Sequence, residues 1–159
     1  MAESIGPGLR RQWQLFSRLP GSKWLFSHAL GSCVPYSGSI GARVEVLEPG
    51  HCVVTMRDRR RVRNHLDSVH AVALANLAEL ATGLALMNSL PDKARGILGG
   101  ISIDYLKKAR GRLTATCHCD IPPSNAEHEY ILTGEIRNTD GEVVAAARAR
   151  WLVGPEQDA

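Results

Sequence analysis

A long apolar segment near the middle of the chain constrains the fold more than any other feature. It runs from Val69 to Met87 and reads VHAVALANLAELATGLALM, with Glu79 as its only formal charge. A helix that is apolar on nearly all sides must be covered on most of them. A carboxylate in such a helix is costly to desolvate, so it is paired, shifted in pKa or used in chemistry. The segment therefore predicts a wrapped central helix with one candidate functional residue.

The composition indicates one ordinary globular domain rather than a disordered chain. The protein has 159 residues, of which 44% are hydrophobic and 22% charged, and its net charge is +3. This charge gives no strongly basic field, so we predict no nucleic-acid partner. The apolar segment contains Glu, His, Asn and Thr and is flanked by strand patterns. We therefore expect a core helix and no membrane span.

The cysteines and the N-terminus indicate a cytoplasmic protein. The first residues form no continuous apolar stretch of the kind that signal peptides require. The four cysteines form no CxxC pair, which favours reduced thiols. No spacing gathers three metal ligands, so we predict neither a metal site nor a cofactor. The cysteines are Cys33, Cys52, Cys117 and Cys119.

The chain divides into an N-terminal helical arm, residues 1–35, and one main domain, residues 36–155. Apolar residues recur at helical spacing from Leu9 to Leu19, and Pro20 and Gly21 are expected to end this helix. A second short amphipathic piece follows at 22–30. Because no linker or repeat separates the arm from the rest, we expect a single domain overall.

Alternating apolar and polar residues predict two strands before the apolar segment and four after it. Asp67 or Ser68 is a suitable N-cap for the helix between them, and Pro91 is expected to end it. A curved antiparallel sheet wrapped around this helix, with a second copy covering the remainder, satisfies the demand for burial. The pattern predicts an α+β architecture of the hotdog type.

Helical phase separates the polar residues of the apolar segment. His70 and Glu79 are nine residues apart, which is about 900° of rotation, so on one helix they face opposite ways. Either His70 precedes the helix or the two residues have different partners. Asn76, Thr82 and Gly83 lie near the face of Glu79, and we expect this polar stripe to face a second subunit and a cleft.

The string NHLDSVHAVALANLAELA, from Asn64 to Ala81, resembles hotdog-fold acyl-CoA thioesterases of the PaaI-like type. It is most similar to the uncharacterised DUF4442 branch of that superfamily. The motif is Asn, His six residues later, an acidic residue nine further on, and then a strand that reads GISID. The resemblance covers Ser39 to Val153.

This resemblance implies a role for each matched residue. Asn64 and His70 would position the thioester and the attacking water. The amide of Ala71 would donate to the thioester carbonyl, a task that suits a helix N-terminus. Glu79 would be the general base or the nucleophile, and Ser102 would orient the water across a dimer interface. The resemblance thus implies a thioester hydrolase that works as a homodimer or tetramer on acyl-CoA.

Two departures from the family pattern bear on this expectation. The family has His-Gly-Gly where this chain has His70, Ala71 and Val72, so added side chains crowd the path to the amide. Glutamate replaces the usual aspartate and adds one methylene of reach. Because of this crowding, an alternative function stays open, that of a non-catalytic protein that binds or senses acyl-CoA or a fatty acyl chain.

Basic residues near the motif offer contacts for the phosphates of coenzyme A. Arginines are clustered between residues 57 and 63, and guanidinium groups bind phosphate through paired hydrogen bonds. We single out Arg61, Arg63 and Lys107 as candidate phosphate contacts; a solvated strand end is the alternative. A third functional class, an interaction module built on Trp13 and Trp24 of the arm, also stays open.

Overall fold

One antiparallel sheet surrounds a central helix, and three helices precede it. A computed structural model describes residues 5–18 and 20–156. The helices are α1 (Ile5–Ser17), α2 (Ser22–Cys33), α3 (Pro35–Gly38) and α4 (Ala71–Met87). The strands are β1 (Arg43–Glu48), β2 (His51–Arg57), β3 (Ala94–Tyr105), β4 (Arg112–His118), β5 (His128–Arg137) and β6 (Val143–Pro155). The sheet order is β1-β2-β4-β5-β6-β3, which confirms the predicted α+β hotdog architecture.

The concave face of the sheet covers α4 with alternate residues of each strand. Register partners in antiparallel strands share a face, so the buried sets of neighbouring strands coincide. The buried residues include Val54, Met56, Leu113, Ala115, Leu132, Ile136, Ala147, Ala149 and Trp151. Helix α4 therefore covers the concave face of the sheet. The two edge strands are β1, which packs against α2, and β3, whose outer edge pairs with no other described strand.

The close contact between α4 and β6 corrects the predicted polar stripe. Thr82 is fully buried and accepts a hydrogen bond of 3.3 Å from Nε1 of Trp151. A Cβ atom at Gly83 would lie 3.0 Å from carbons of the Trp151 ring, so this position favours glycine. Thr82 faces the sheet, and Asn76 is buried beside α3. Of the predicted stripe, only Glu79 stays half-buried.

Both ends of α4 differ from the predicted ones. The N-cap is His70, because Asp67 has a positive φ of 51° and Val69 forms a β-bridge with Arg63 before the helix begins. The predicted caps, Asp67 and Ser68, therefore lie in the preceding loop. At the other end the helix stops at Met87, short of the predicted stop at Pro91.

The N-terminal arm packs against both the central helix and the sheet. Nη1 of Arg10 donates to the carbonyl oxygens of Asn88 and Leu90, just beyond α4. Trp13 is buried edge-on against Phe26, with ring centroids 5.1 Å apart, whereas Trp24 is exposed. Buried Trp13 is therefore unavailable to an external partner.

Two further sequence expectations concern the arm and the apolar segment. The predicted end of the first helix, Leu19, lies outside the described residues, within which α1 ends at Ser17. No helix among the described residues has the length and apolarity to cross a membrane.

Candidate functional site

Glu79 lies on the side of α4 that the sheet leaves partly open. Burial raises the pKa of its carboxyl, and no charged group or hydrogen bond among the described residues offsets that effect. Its Oε1 atom is 3.7 Å from the position that a Cβ atom would take at Gly83. The carboxylate therefore lies beside Gly83 and the Trp151 ring that packs against this glycine, and it is free to accept a proton.

His70 precedes α4, which resolves the two arrangements that helical phase left open. Its Nδ1 accepts a hydrogen bond of 3.1 Å from the backbone N–H of Val72. This bond assigns the proton of the neutral ring to Nε2, because a protonated Nδ1 could not accept. His70 lines a cavity of about 260 Å³ together with Val72 and Asn76. The ring can therefore present an N–H donor there.

The first turn of α4 leaves the amide of Ala71 without an acceptor. The N–H of Val72 is bound by His70, and the N–H of Leu74 donates to the carbonyl oxygen of His70 at 3.1 Å. Among the described residues, no acceptor contacts the N–H of Ala71. A free amide at a helix N-terminus stabilises negative charge on an oxygen that approaches it. The amide of Ala71 is thus available as an oxyanion donor.

Asn64 shapes the loop that leads to His70. Its Oδ1 accepts hydrogen bonds from the backbone N–H of Leu66 at 2.9 Å and of Ser68 at 3.3 Å. The hydroxyl of Ser68 donates to the same oxygen. Asn64 and Ala71 line a second cavity, of about 360 Å³. The side chain holds the loop with its oxygen and has its Nδ2 donor left for a ligand.

Tyr105 is a member of the site that the sequence did not single out. It ends β3, lines the same cavity as Asn64, and its hydroxyl donates to the carbonyl oxygen of Ala71 at 3.0 Å. Burial raises the pKa of this phenol. The only signal in the sequence was its place at the end of an alternating strand, which does not reveal a contact 34 residues away. Tyr105 fixes the edge strand to the first turn of α4.

Ser102 does not join the other predicted site residues within one chain. It is paired with Arg148 across β3 and β6, while the neighbouring Ile101 is paired with buried Ala149. Because paired residues share a face, the side chain of Ser102 lies on the convex face of the sheet, opposite α4. A role for Ser102 therefore requires a second subunit.

Two of the three predicted phosphate contacts already have acidic partners. Arg63 pairs with Asp58 at 2.6 Å and holds the pKa of that carboxyl below its usual range. Lys107 pairs with Glu142. Arg61 has no ion pair among the described residues. Of the three, Arg61 is the one with its charge available for an anion.

The spacing along α4 limits which residues can act together. Ala71 and Glu79 are separated by eight residues of one helix, or about 12 Å along its axis. A base and an oxyanion donor that act on the same carbonyl must each approach the reacting atoms to about 3 Å. This spacing favours a site in which the amide and the carboxylate that act on one thioester come from two copies of the chain.

Several known proteins are similar to this chain in sequence or in fold. The family described as a domain of unknown function, DUF4442, matches residues 22–153. The structural-genomics protein APC5556 is 31% identical, with a TM-score of 0.80 over 93% of this chain and 99% of the other. Protein PA5026 from Pseudomonas aeruginosa, described as a probable thioesterase, is 25% identical, with a TM-score of 0.75 over 87% and 97%.

Two more distant structures share the fold. The PaaI protein from the phenylacetic acid degradation operon of E. coli is 23% identical, with a TM-score of 0.67 over 85% of this chain and 96% of the other. A hypothetical thioesterase from Streptococcus pneumoniae TIGR4, solved with coenzyme A, is 23% identical, with a TM-score of 0.62 over 74% and 91%. The comparison with curated protein sequences gives no significant match. The DUF4442 resemblance and the hotdog fold inferred from the sequence are confirmed by the family match and by the shared structures.

Proposed function

The chain belongs to the DUF4442 family of PaaI-like hotdog proteins, and from that premise we propose that it is a cytoplasmic acyl-CoA thioesterase. It would hydrolyse acyl-CoA to the free acid and coenzyme A. The observation that carries the proposal is the unpaired carboxylate of Glu79, kept half-buried with a raised pKa on the open side of α4. Probable thioesterase PA5026 and the coenzyme A complex of the pneumococcal protein support the same reaction class.

In this proposal Glu79 acts as the base and Ala71 binds the oxyanion. The carboxylate takes a proton from water while the water oxygen attacks the thioester carbon. The amide of Ala71 stabilises the negative charge that forms on the carbonyl oxygen. The C–S bond then breaks, and the proton held by Glu79 passes to the departing thiolate. His70 and Nδ2 of Asn64 orient the thioester and the water through their N–H groups.

The proposal requires two copies of the chain. Since the backbone positions of Glu79 and Ala71 are separated by about 12 Å along the axis of one helix, we assign the carboxylate from one subunit and the amide, Asn64 and His70 from the other. The open edge at β3 carries exposed Ile101 and Tyr105, so it offers apolar surface for that association. Ser102 stays a prediction for the interface between subunits. A homodimer is the smallest assembly that completes the site, and a tetramer would contain two such pairs.

A direct attack by the carboxylate is the second route to the same products. Glu79 would form an anhydride with the acyl group, release coenzyme A and then be freed by water. Hydrolysis in ¹⁸O-labelled water under single-turnover conditions tests for this route. Incorporation of ¹⁸O into Glu79 requires an anhydride that water opens at the Glu79 carbonyl, so a labelled protein would establish the nucleophilic carboxylate.

One specific observation favours a non-catalytic alternative. Val72 replaces a family glycine, its side chain is exposed at the cavity with His70, and its amide is already bound. A site crowded in this way would suit a protein that binds acyl-CoA or a fatty acyl chain without turnover.

Release of free thiol from a panel of alkyl and aryl acyl-CoAs tests the proposal. The proposal predicts turnover of at least one class by the purified wild-type protein. Tight binding of acyl-CoA by calorimetry without thiol release would contradict hydrolysis and establish the binding protein. Failure to bind any acyl-CoA would contradict both.

A further inference from the structure

A groove between the N-terminal helices and α4 extends away from His70. It consists of two adjoining cavities, of about 260 and 510 Å³, which share Ser39 and Arg61 as lining residues. His70 and Asn76 line the smaller cavity, and the larger one reaches Trp24 on α2. We refer to the two cavities together as the arm groove.

Asn76 lines the smaller cavity and holds a buried hydrogen-bond acceptor beside it. Its side chain is 8% exposed, and its Nδ2 donates to the carbonyl oxygen of Tyr36 at 3.1 Å. This bond fixes the orientation of the amide, so Oδ1 points away from Tyr36. Oδ1 is buried and has no hydrogen-bond partner in the part of the chain that the structure describes. A buried acceptor without a donor is costly, and a ligand N–H would remove that cost.

The larger cavity is lined by two guanidinium groups, those of Arg59 and Arg61, that have no carboxylate partner among the described residues, whereas Arg43 pairs with Glu45. Nη2 of Arg59 donates to the carbonyl oxygen of Ile40 at 3.0 Å, while its Nε is buried without a partner. Arg61 lies beside it; burial and the neighbouring Arg61 charge lower the pKa of Arg59. Among the described residues that line the arm groove, none is Asp or Glu. The cavity therefore favours an anion.

Gly41 is what allows the two guanidinium groups to lie so close to the backbone. It has a φ of 60°, and a Cβ atom there would lie 2.0 Å from Nη2 of Arg59 and 2.9 Å from Nη2 of Arg61. The cluster of two guanidinium groups is thus built into the loop before β1. Paired guanidinium groups of this kind suit the oxygens of a phosphate.

We propose that the arm groove binds the phosphopantetheine part of coenzyme A. An amide N–H of the pantetheine donates to Oδ1 of Asn76, and the phosphate oxygens accept hydrogen bonds from Arg59 and Arg61. The order of the groups fits this ligand, because His70 lies at the end of the groove where the thioester would react. The identity of the ligand rests on the proposed function, whereas the groove and its unpartnered groups do not.

Calorimetry with coenzyme A, with its nucleotide half and with pantetheine tests each end of the groove. Arg61→Gln removes one exposed charge, so we expect about tenfold weaker binding of coenzyme A and of the nucleotide half, with pantetheine unaffected. Asn76→Leu is expected to weaken coenzyme A and pantetheine severalfold and to leave the nucleotide half unchanged. Arg148→Gln makes the same charge change on the convex face of the sheet and should alter none of the three.

Two results would overturn this assignment. If wild type and Arg61→Gln bind coenzyme A with equal affinity, Arg61 does not contact the phosphate. Loss of both ligand halves in Asn76→Leu would mean that the variant loosens the arm rather than removes a ligand contact. Binding is measured separately from hydrolysis. If the variants bind coenzyme A as expected but the wild type has no turnover, only the proposed thioesterase activity is contradicted. Turnover with unchanged affinity in both variants would contradict the groove alone.

Discussion

The charge on Glu79 weakens the fold at neutral pH. Burial raises the pKa of this carboxyl in the folded state above its value in the unfolded chain. The folded state then binds the proton more tightly, so stability decreases as pH rises through the interval between the two pKa values. Natural proteins keep such destabilising groups mainly where chemistry uses them.

Replacing Glu79 with glutamine is therefore expected to stabilise the protein. At neutral pH the variant gains at most on the order of 1 kcal/mol, because partial exposure screens the effect. The gain should disappear below the ordinary pKa of a carboxyl, where the wild-type side chain is protonated as well. Urea unfolding of both proteins across pH measures the difference. If the wild type is more stable than Glu79→Gln at neutral pH, the carboxylate has a favourable partner and the prediction is wrong.

The amide of Ala71 can be removed without disturbing the helix. Ala71 is the first residue of α4, a position that tolerates proline, and His70 has the extended conformation that proline requires before it. Ala71→Pro should keep the wild-type melting temperature and lose about a hundredfold or more in kcat. Ala71→Ser keeps the N–H and serves as the control. Equal activity of Ala71→Pro and the control would exclude this amide as the oxyanion donor.

The sequence singled out those candidate site residues that are unusual where they stand. Glu79 is the lone charge of an apolar segment, and His70 and Asn64 belong to a spaced motif. Tyr105 and the free acceptor of Asn76 could not be found in this way. Their significance comes from contacts between distant parts of the chain, at 34 and 40 residues of separation.

At the level of elements, period-two patterns predicted the strands because one face of the sheet is buried on α4. The same patterns did not predict the helix start. The loop before α4 makes its own hydrogen bonds through Asn64 and a bridge from Arg63 to Val69, which delays the helix to Ala71. Thr82 was assigned to an open stripe, since phase alone does not show that Trp151 reaches it.

The link between β3 and α4 gives a prediction at this scale. Tyr105→Phe removes the hydroxyl that binds the carbonyl oxygen of Ala71, which costs about 1 kcal/mol at most at this exposed position. Because the first turn of α4 then loses its tether, we expect kcat to fall severalfold while KM changes little. Tyr130→Phe, which removes a tyrosine hydroxyl on β5 away from the cavities lined by His70 and Ala71, is the control. Unchanged kcat in Tyr105→Phe would show that the tether does not position the amide.

At the scale of the whole molecule, the proposed site calls for a second copy of the chain. One copy leaves the edge at β3 unpaired among the described strands, and the eight residues between Ala71 and Glu79 favour an amide and a carboxylate from different subunits. The sequence indicated a second subunit through the apolar character of α4. It could not show which residues each subunit contributes, because that depends on distances along the folded helix.

Mixing two inactive variants tests the shared site. Glu79→Gln lacks the base and Ala71→Pro lacks the amide, so each homodimer is inactive. Random exchange of subunits gives mixed dimers with one intact site, and about a quarter of the wild-type activity should return. Gel filtration of each variant controls for a preserved dimer. A monomeric wild type, or no recovery after verified exchange, would contradict a site formed by two subunits.

The most direct test of the central claim is the rate of thioester hydrolysis in Glu79→Gln. Thiol release is measured for wild type and variant with the best acyl-CoA substrate, and coenzyme A affinity is measured by calorimetry on the same samples. We expect kcat to fall by about a thousandfold, as it does on loss of a general base, while the affinity and the fold persist. A variant that hydrolyses acyl-CoA at the wild-type rate would contradict the assignment of Glu79 as the base.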